Sequence, residues 1–316
     1  MAKLGILFPG QGAQYPGMGC GWAHVHDTAA RRLDEASALL GYDLALILAC
    51  EDGRLDDTLF AQPATVVSSL LAFETLIQET HLQPAAFAGF SLGEYTALAA
   101  SGVIAIADVI TLVNTRAHAM QEAAREKPGA MCAVIGLSPE AVDTVCHQAC
   151  GEGGFVTAAN FNCPGQIVLS GDAKAIGRAI ELSREAGAKR CVLLNVSGAF
   201  HSPLMQKAAD RMIAALKPIL VKTASASVYS NVTALPYGAS DWKILLPKQM
   251  VSPVLFERTI RNMMENGITH FLEIGPGTVL SGFVRKISFD HPIVSLDRPE
   301  QLEQVKGWLH EYGFYE

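Results

Sequence analysis

The chain has 316 residues, which exceeds one average domain but fits one large α/β domain that carries an insertion. Half of the residues are hydrophobic and 17% are charged, so we expect a sizeable buried core. The formal net charge is -7 without a long run of one sign, which argues against a protein that binds nucleic acid or polyphosphate.

The sequence shows no targeting signal before its first predicted strand. Met1 to Phe8 run directly into that strand, without the basic segment, apolar stretch and cleavage site of a signal peptide. No uninterrupted apolar segment reaches the length that spans a membrane. The seven cysteines are scattered, odd in number and without a C-x-x-C pair, which indicates reduced thiols. We therefore expect a cytoplasmic protein with no metal and no nucleic-acid or membrane partner.

The first predicted element is a strand that ends in a tight turn. "LGILFPGQG" (4–12) is an apolar run broken by a proline and two glycines. Gln11 lies in this turn, where its backbone N–H is either a donor to an oxyanion or an ordinary turn group. The turn has neither G-x-x-x-x-G-K nor G-x-G-x-x-G, so it is too short for a phosphate loop. Helical spacing of apolar residues follows over 31–48 and 64–79.

A G-x-S-x-G motif lies between the next strand and helix. "AAFAGF" (85–90) predicts a buried strand, and the helical pattern of 92–100 ends near Gly102. Ser91 would stand on the sharp turn between them, with the backbone N–H of Leu92 pointing to where an oxyanion forms. A short G-x-S-x-G also occurs by chance in glycine-rich chains. The flanking strand and helix favour Ser91 as a nucleophile.

The following predicted helix has Asp108 as its N-cap and carries Arg116 among apolar residues. The Arg116 guanidinium could reach solvent past an apolar stem. Alternatively, it could bind a carboxylate through two parallel hydrogen bonds. Its position leaves both interpretations open.

Residues 129–196 interrupt the larger fold. They predict elements in the order β-α-β-β-α-β, which is that of a ferredoxin-like unit. Ser138 is expected to cap the first of its two helices, with Pro139 at the first helical position. Beyond this unit the sequence predicts a helix to about Leu216, strands at "SVYSN" and "HFLEIGPG", and a helix that begins near Thr278.

His201 is the candidate base for Ser91. It lies in "SGAFHSP", an irregular stretch where the chain returns to the main sheet, and loops at strand ends are where α/β sites are built. The acidic residues between Ser91 and His201 fall on predicted helix starts or helix faces. A Ser-His dyad, with a backbone carbonyl that fixes the histidine tautomer, therefore fits better than a triad.

Taken together, these motifs resemble the malonyl-CoA:acyl-carrier-protein transacylases, the acyltransferases of fatty-acid and polyketide synthesis. The resemblance is co-linear over nearly the whole chain. Its matching segments are "FPGQGAQYPGMG" (8–19), "AQPAT" (61–65), "GFSLGEYTAL" (89–98), Arg116, "GAM" (129–131), "NFNCPGQIVLSG" (160–171), "SGAFHSPLM" (197–205), "QMVSPVLFE" (249–257) and "EIGPGTVLSG" (273–282).

The resemblance implies an α/β-hydrolase-like large domain, formed by 1–127 and 197–316, with a ferredoxin-like insert at 128–196. It implies malonyl-CoA as substrate, phosphopantetheinylated acyl carrier protein as partner and no permanently bound cofactor. Ser91 would be the nucleophile and His201 the base, with oxyanion donors at Gln11 and Leu92. Arg116 would bind the malonyl carboxylate. The backbone carbonyl of Gln249 would orient the histidine.

One residue departs from the family pattern. The family usually has histidine before the nucleophile, and this chain has Phe90. Since this is the variable position of the motif, catalysis remains expected, but polar contacts of the histidine are lost and the acyl selectivity is open.

Two other functions remain to be weighed. An acyl hydrolase or thioesterase on the same scaffold would need an activated water. A simple acyl chain has no carboxylate for Arg116 to bind, which disfavours this function. A non-catalytic subunit that docks carrier protein would not need Ser91, His201 and Arg116 together.

Overall fold

The computed structural model describes residues 2–50, 53–151, 154–196, 198–238 and 241–315. The described residues form strands and helices that alternate along most of the chain, a mixed α/β architecture. The strands are β1 Leu4–Phe8, β2 Ala86–Gly89, β3 Gly129–Ile135, β4 Val156–Cys163, β5 Gln166–Asp172, β6 Arg190–Leu193, β7 Ser227–Val228, β8 His270–Ile274 and β9 Ile293–Leu296. The helices are α1 Asp27–Leu40, α2 Leu44–Ala49, α3 Thr58–Thr80, α4 Gly93–Ala100, α5 Ile106–Glu126, α6 Pro139–Ala149, α7 Ala173–Glu185, α8 Gln206–Leu216, α9 Trp242–Gln249, α10 Phe256–Glu265, α11 Val279–Ile287 and α12 Leu302–Glu311.

A five-stranded sheet forms the centre of the molecule. Its strand order is β7-β2-β1-β8-β9, and every neighbouring pair is parallel. β1 and β2 are buried along their whole length, because helices cover both faces of such a sheet. The carboxyl ends of β1 and β2 lie side by side, with Phe8 paired to Gly89. The loops after these two strands therefore meet at one edge of the sheet, where α/β proteins place their sites.

A second, antiparallel sheet has the strand order β4-β5-β3-β6. Its two faces differ because side chains alternate along each strand. On β3, Cys132 and Val134 pack in a core cluster with α6 and α7, whereas Met131 and Ala133 face the cavity described below. β4 also joins the rest of the chain through a bridge between Asn160 and Val254.

Helix α3 is the longest described helix and lies within the core. It has the length and hydropathy of a membrane span, but 78% of its apolar window is buried inside the fold. The sequence pattern predicted this helix only from residue 64. The helix instead begins at Thr58, where Asp57 caps it by accepting a hydrogen bond from the Leu59 N–H.

Three further predictions of local structure need correction. The pattern over 31–48 is two helices, since Gly41 ends α1 at φ 77° and Asp43 caps α2. Asp108 does not cap α5; the N-cap is Ala105, and Asp108 lies in the first turn, where its charge favours the helix dipole. The predicted strand "SVYSN" is reduced to the two residues of β7.

The prediction for the first helix of the antiparallel unit is confirmed. The Ser138 side chain accepts a hydrogen bond from the Ala141 N–H, and Pro139 is the first helical residue of α6. Helices α8 and α11 also lie where they were expected, and α11 begins one residue after Thr278.

Candidate active site

Ser91 lies on a strained turn between β2 and α4. Its φ is +50°, in the left-handed region that non-glycine residues rarely adopt. The two glycines of the motif make the turn possible, since a Cβ at Gly89 would lie 1.9 Å from the Gly93 carbonyl carbon. A Cβ at Gly93 would lie 2.1 Å from the Phe8 carbonyl oxygen. Backbone atoms therefore approach too closely for any other residue.

Substitution of Gly93 by alanine is expected to destabilise the protein by about 3 kcal/mol or more, because the added methyl group collides with the backbone of β1. Thermal or denaturant unfolding measures the effect. Gly177→Ala in α7 is the matched control, because its added methyl meets no atom within 4 Å and should leave stability unchanged or slightly raised. Equal stability of the two variants would contradict the close packing at the turn.

His201 lies beside Ser91. Its Nε2 is 2.7 Å from Ser91 Oγ, and its Nδ1 is 2.8 Å from the backbone carbonyl oxygen of Gln249. A carbonyl only accepts hydrogen bonds, so Nδ1 carries the proton and Nε2 accepts from the Ser91 hydroxyl. Sequence reasoning expected a dyad with a carbonyl partner, and the described residues have this arrangement.

Burial keeps His201 neutral. The side chain is 5% exposed, and burial lowers its pKa from the ordinary value to about 4. The hydrogen bond to Gln249 raises this pKa and the charge of Arg116 lowers it, but both effects are smaller than that of burial. A neutral imidazole with a free Nε2 lone pair can take a proton from Ser91 over the whole physiological pH range.

The pH dependence of acylation follows from this low pKa. Because His201 must be neutral to accept the proton, kcat/KM should fall as pH decreases through about 4 and should not vary with His201 ionisation above it. Steady-state rates in short assays across the acid range measure this limb. An acid limb centred near the ordinary histidine pKa would contradict a buried, neutral His201.

Arg116 is a buried cation that points to the same serine. It is 1% exposed, and its Nη2 donates to Ser91 Oγ at 3.2 Å. Its Nη1 donates to Gln62 Oε1 at 2.6 Å, and its guanidinium carbon lies 5.5 Å from the ring centre of Tyr95. Burial lowers the pKa of Arg116. Among the described residues no carboxylate forms an ion pair with Arg116. The solvent-reaching alternative for this residue is therefore wrong.

Two backbone N–H groups are available near the serine. Leu92 is the N-cap of α4, and Gln11 follows β1 and lines the same cavity as Ser91. Within the described residues, neither N–H donates a hydrogen bond to the chain. The Gln11 side chain is held by Thr58, to which it donates at 3.0 Å, and by Gln62, from which it accepts at 3.2 Å.

Sequence reasoning missed three polar residues that support the site. Gln62 positions Arg116, Asn231 accepts the Ser91 N–H at 2.7 Å, and Glu94 binds the side chain of Gln249. All three are fully buried. Burial raises the pKa of Glu94, and hydrogen bonds from Tyr237, Gln249 and Asn231 lower it by less. The resulting pKa is about 7. The one available sequence signal was Glu94, a carboxylate three residues after Ser91 in a helix with no other charged residue.

Ser91, His201, Arg116 and Gln11 line a common cavity of about 240 Å³. Ser91, His201 and Arg116 form its floor, and the antiparallel sheet forms one wall. Within the described part of the chain, no group of three or more His, Cys, Asp or Glu residues is arranged to hold a metal ion. The residues that the antiparallel sheet and the segment after it contribute are Met131, Ala133, Asn160, Asn162, Gln166, Val168, Leu194 and Val196.

Phe90 forms part of an apolar wall of this cavity. Its ring packs at 5.5 Å from Phe256 and 6.1 Å from Phe283, measured between ring centres. Phe283 lines the cavity with Phe90. Phe90 is thus one member of a cluster of three aromatic rings.

The parallel sheet, the strained serine with its buried histidine and the adjoining cavity define an α/β enzyme of the acyl-transfer class. The acyl transferase domain family matches residues 6–289. The chain belongs to this family.

Similar proteins cover the chain almost completely. The malonyl CoA-acyl carrier protein transacylase of Bacillus subtilis is 41% identical over 98% of both chains. The crystal structure of the malonyl CoA-acyl carrier protein transacylase of Clostridium perfringens has a TM-score of 0.93 and 37% identity over 98% of both chains. A malonyl-transacylase in complex with a type II PKS acyl-carrier protein has a TM-score of 0.91 and 36% identity, over 96% of this chain and 98% of that chain.

Proposed function

We propose that the protein transfers the malonyl group of malonyl-CoA to the phosphopantetheine thiol of an acyl carrier protein. The proposal of a malonyl group rests on the position of Arg116. Arg116 is buried beside Ser91 without an ion-pair partner among the described residues, and an isolated buried cation is costly. A second carboxylate on the acyl group would supply its counter-charge through charge-assisted hydrogen bonds.

The reaction proceeds through an ester on Ser91. His201 Nε2 takes the hydroxyl proton as Ser91 Oγ attacks the thioester carbonyl. Backbone N–H groups of Gln11 and Leu92 stabilise the oxyanion, each by about 3 kcal/mol. The C–S bond then breaks, and His201 returns the proton to the leaving CoA thiolate. The carrier thiol gives its proton to His201 and attacks the Ser91 ester by the reverse route, which completes a ping-pong cycle.

The backbone carbonyl of Gln249 supports the proposed role of His201. The Gln249 carbonyl keeps the His201 proton on Nδ1, so the same imidazole serves both half-reactions. Malonyl-CoA is a substrate, and no permanently bound cofactor takes part in these steps. Since relatives are named malonyl CoA-acyl carrier protein transacylases and one was solved with its acyl-carrier protein, a carrier protein is the proposed acceptor. A cytoplasmic place in fatty-acid or polyketide supply fits this role.

We also propose a division of the chain into a large domain and an insert. We assign 1–127 and 197–316 to an α/β-hydrolase-like large domain and 128–196 to a ferredoxin-like insert. The support is topological, since the chain enters β3, forms α6, β4, β5 and α7, and leaves by β6. The strand order β4-β5-β3-β6 places the first and third strands of this unit at its centre.

Intact-mass analysis of a phosphopantetheinylated carrier protein tests the proposed function. After incubation with the protein and malonyl-CoA, the carrier is expected to gain one malonyl group. Free malonate with an unmodified carrier would instead identify an acyl hydrolase. An unmodified carrier together with unconsumed malonyl-CoA would instead favour a non-catalytic docking role.

A further inference from the structure

A buried polar network lies directly behind Ser91 and His201, on the side away from the cavity. Its centre is Glu94, in the first turn of α4 and fully buried. One carboxylate oxygen accepts from the Tyr237 hydroxyl and from the Asn231 N–H at 3.1 Å. The other accepts from the side-chain amide of Gln249. All three of these neighbours donate, so the network is built around an acceptor with two oxygens.

The network reaches both reacting side chains through their backbone partners. The amide of Gln249 that binds Glu94 also donates to the Ser91 carbonyl at 2.8 Å, while the Gln249 carbonyl accepts from His201 Nδ1 at 2.8 Å. One residue thus fixes both the serine turn and the histidine ring. Its side-chain orientation depends on Glu94, because Gln249 Oε1 has no hydrogen-bond partner among the described residues.

Asn231 holds the strained turn from the other side. Its side chain accepts from the Ser91 N–H at 2.7 Å and donates to the Gly89 carbonyl at 2.7 Å. Its own N–H is bound by Glu94. Two buried side-chain amides therefore maintain the positive φ of Ser91, and Glu94 binds the amide of Gln249 and the backbone N–H of Asn231.

We propose that Glu94 is a positioning residue, which acts through Gln249 and Asn231 to hold His201 in its Nδ1–H tautomer and Ser91 in its strained turn. It touches neither the substrate nor the reacting atoms. The inference rests on the proposed acyl transfer for its kinetic readout but not for its spectroscopic one.

Glu94→Gln is the sharpest test because it keeps the shape and removes one acceptor. With an amide at this position, its single NH₂ group faces the donor of Gln249 or that of Asn231. If Gln249 turns to present its Oε1, it loses its hydrogen bond to the Ser91 carbonyl. We expect the rate of Ser91 acylation to fall about 10- to 100-fold with KM unchanged, because the reacting groups are misplaced while substrate contacts remain.

The second readout is the tautomer of His201. In protein carrying ¹⁵N-labelled histidine, the wild type is expected to show the Nδ1–H form, and Glu94→Gln is expected to populate the Nε2–H form. Gln249→Met removes the same link from its other end and keeps the main-chain carbonyl. It should reproduce the tautomer change, and the double variant should be no slower than the slower single variant.

Val305→Ala is the control for lost stability, since Val305 is fully buried in α12 and has no part in the site. It should lower the melting temperature without changing rate or tautomer. A folded Glu94→Gln with wild-type rate and tautomer would overturn the proposal, as would additive losses in the double variant. If the wild type transfers no malonyl group but its tautomer still depends on Glu94, the proposed function fails and the positioning role stands.

Discussion

Arg116→Ala is expected to lower kcat/KM for malonyl-CoA about 1,000-fold while kcat/KM for acetyl-CoA is kept or raised. Two charge-assisted hydrogen bonds to the malonyl carboxylate are lost, which corresponds to about 4 kcal/mol. Transfer of an acetyl group becomes easier, because its binding no longer leaves a buried cation without a carboxylate to pair with. Competition between the two thioesters, followed by mass analysis of the carrier, measures the ratio directly.

The control for the arginine variant is Arg261→Ala on α10, whose guanidinium pairs with Glu257 at the surface. It should leave the malonyl-to-acetyl ratio at the wild-type value. If Arg116→Ala left that ratio unchanged as well, Arg116 would not bind the carboxylate. The basis for preferring a dicarboxylic acyl group would then be lost.

Ser91→Ala is expected to abolish the acyl-enzyme and to lower transfer by about 10,000-fold or more, as removal of a nucleophile does in other serine enzymes. The alanine side chain occupies the space of the serine without its Oγ, the atom that His201 and Arg116 contact. Rapid-quench kinetics with malonyl-CoA and carrier protein measure the loss.

Ser183→Ala is the matched control for the serine variant. Ser183 is a fully buried serine of α7, outside the cavity, and its loss should not change transfer. Transfer by Ser91→Ala at a rate close to that of Ser183→Ala would contradict the assigned nucleophile.

Local sequence signals predicted most of the strand and helix order. Glycine, proline and capping residues mark element ends through the backbone itself, so the helix that begins at Pro139 was predicted correctly. The exact element ends were predicted less well. Asp108 suggested an N-cap but lies in the first turn of α5, and the helical pattern over 31–48 is two helices. The order of the parallel sheet depends on long-range pairing, which no local pattern encodes.

Ser91 and His201 could be recognised from the sequence because each lies in a local pattern that indicates its role. Ser91 sits in a spaced glycine motif, and His201 lies on an irregular stretch where a loop meets the sheet. Asn231 and Gln62 belong to no such local pattern. Each is defined by a partner far away in the chain, such as Asn231 by the Ser91 N–H 140 residues earlier. Their importance could be seen only after the chain had folded.

The packing of Phe90 could not be predicted from the sequence. The sequence showed only the loss of a usual histidine and its polar contacts. In the fold, the ring packs with Phe256 and Phe283 in an aromatic cluster. The position next to the nucleophile is therefore filled by apolar packing, and His201 is the histidine that lines the cavity with Ser91.

Intact mass spectrometry of the protein after mixing with malonyl-CoA alone tests whether Ser91 carries the malonyl group. We expect a mass increase of one malonyl group, mapped to Ser91 by peptide analysis. This group should leave the protein and appear on a phosphopantetheinylated carrier when the carrier is added. Absence of any ester on Ser91 during active transfer to the carrier would contradict the account.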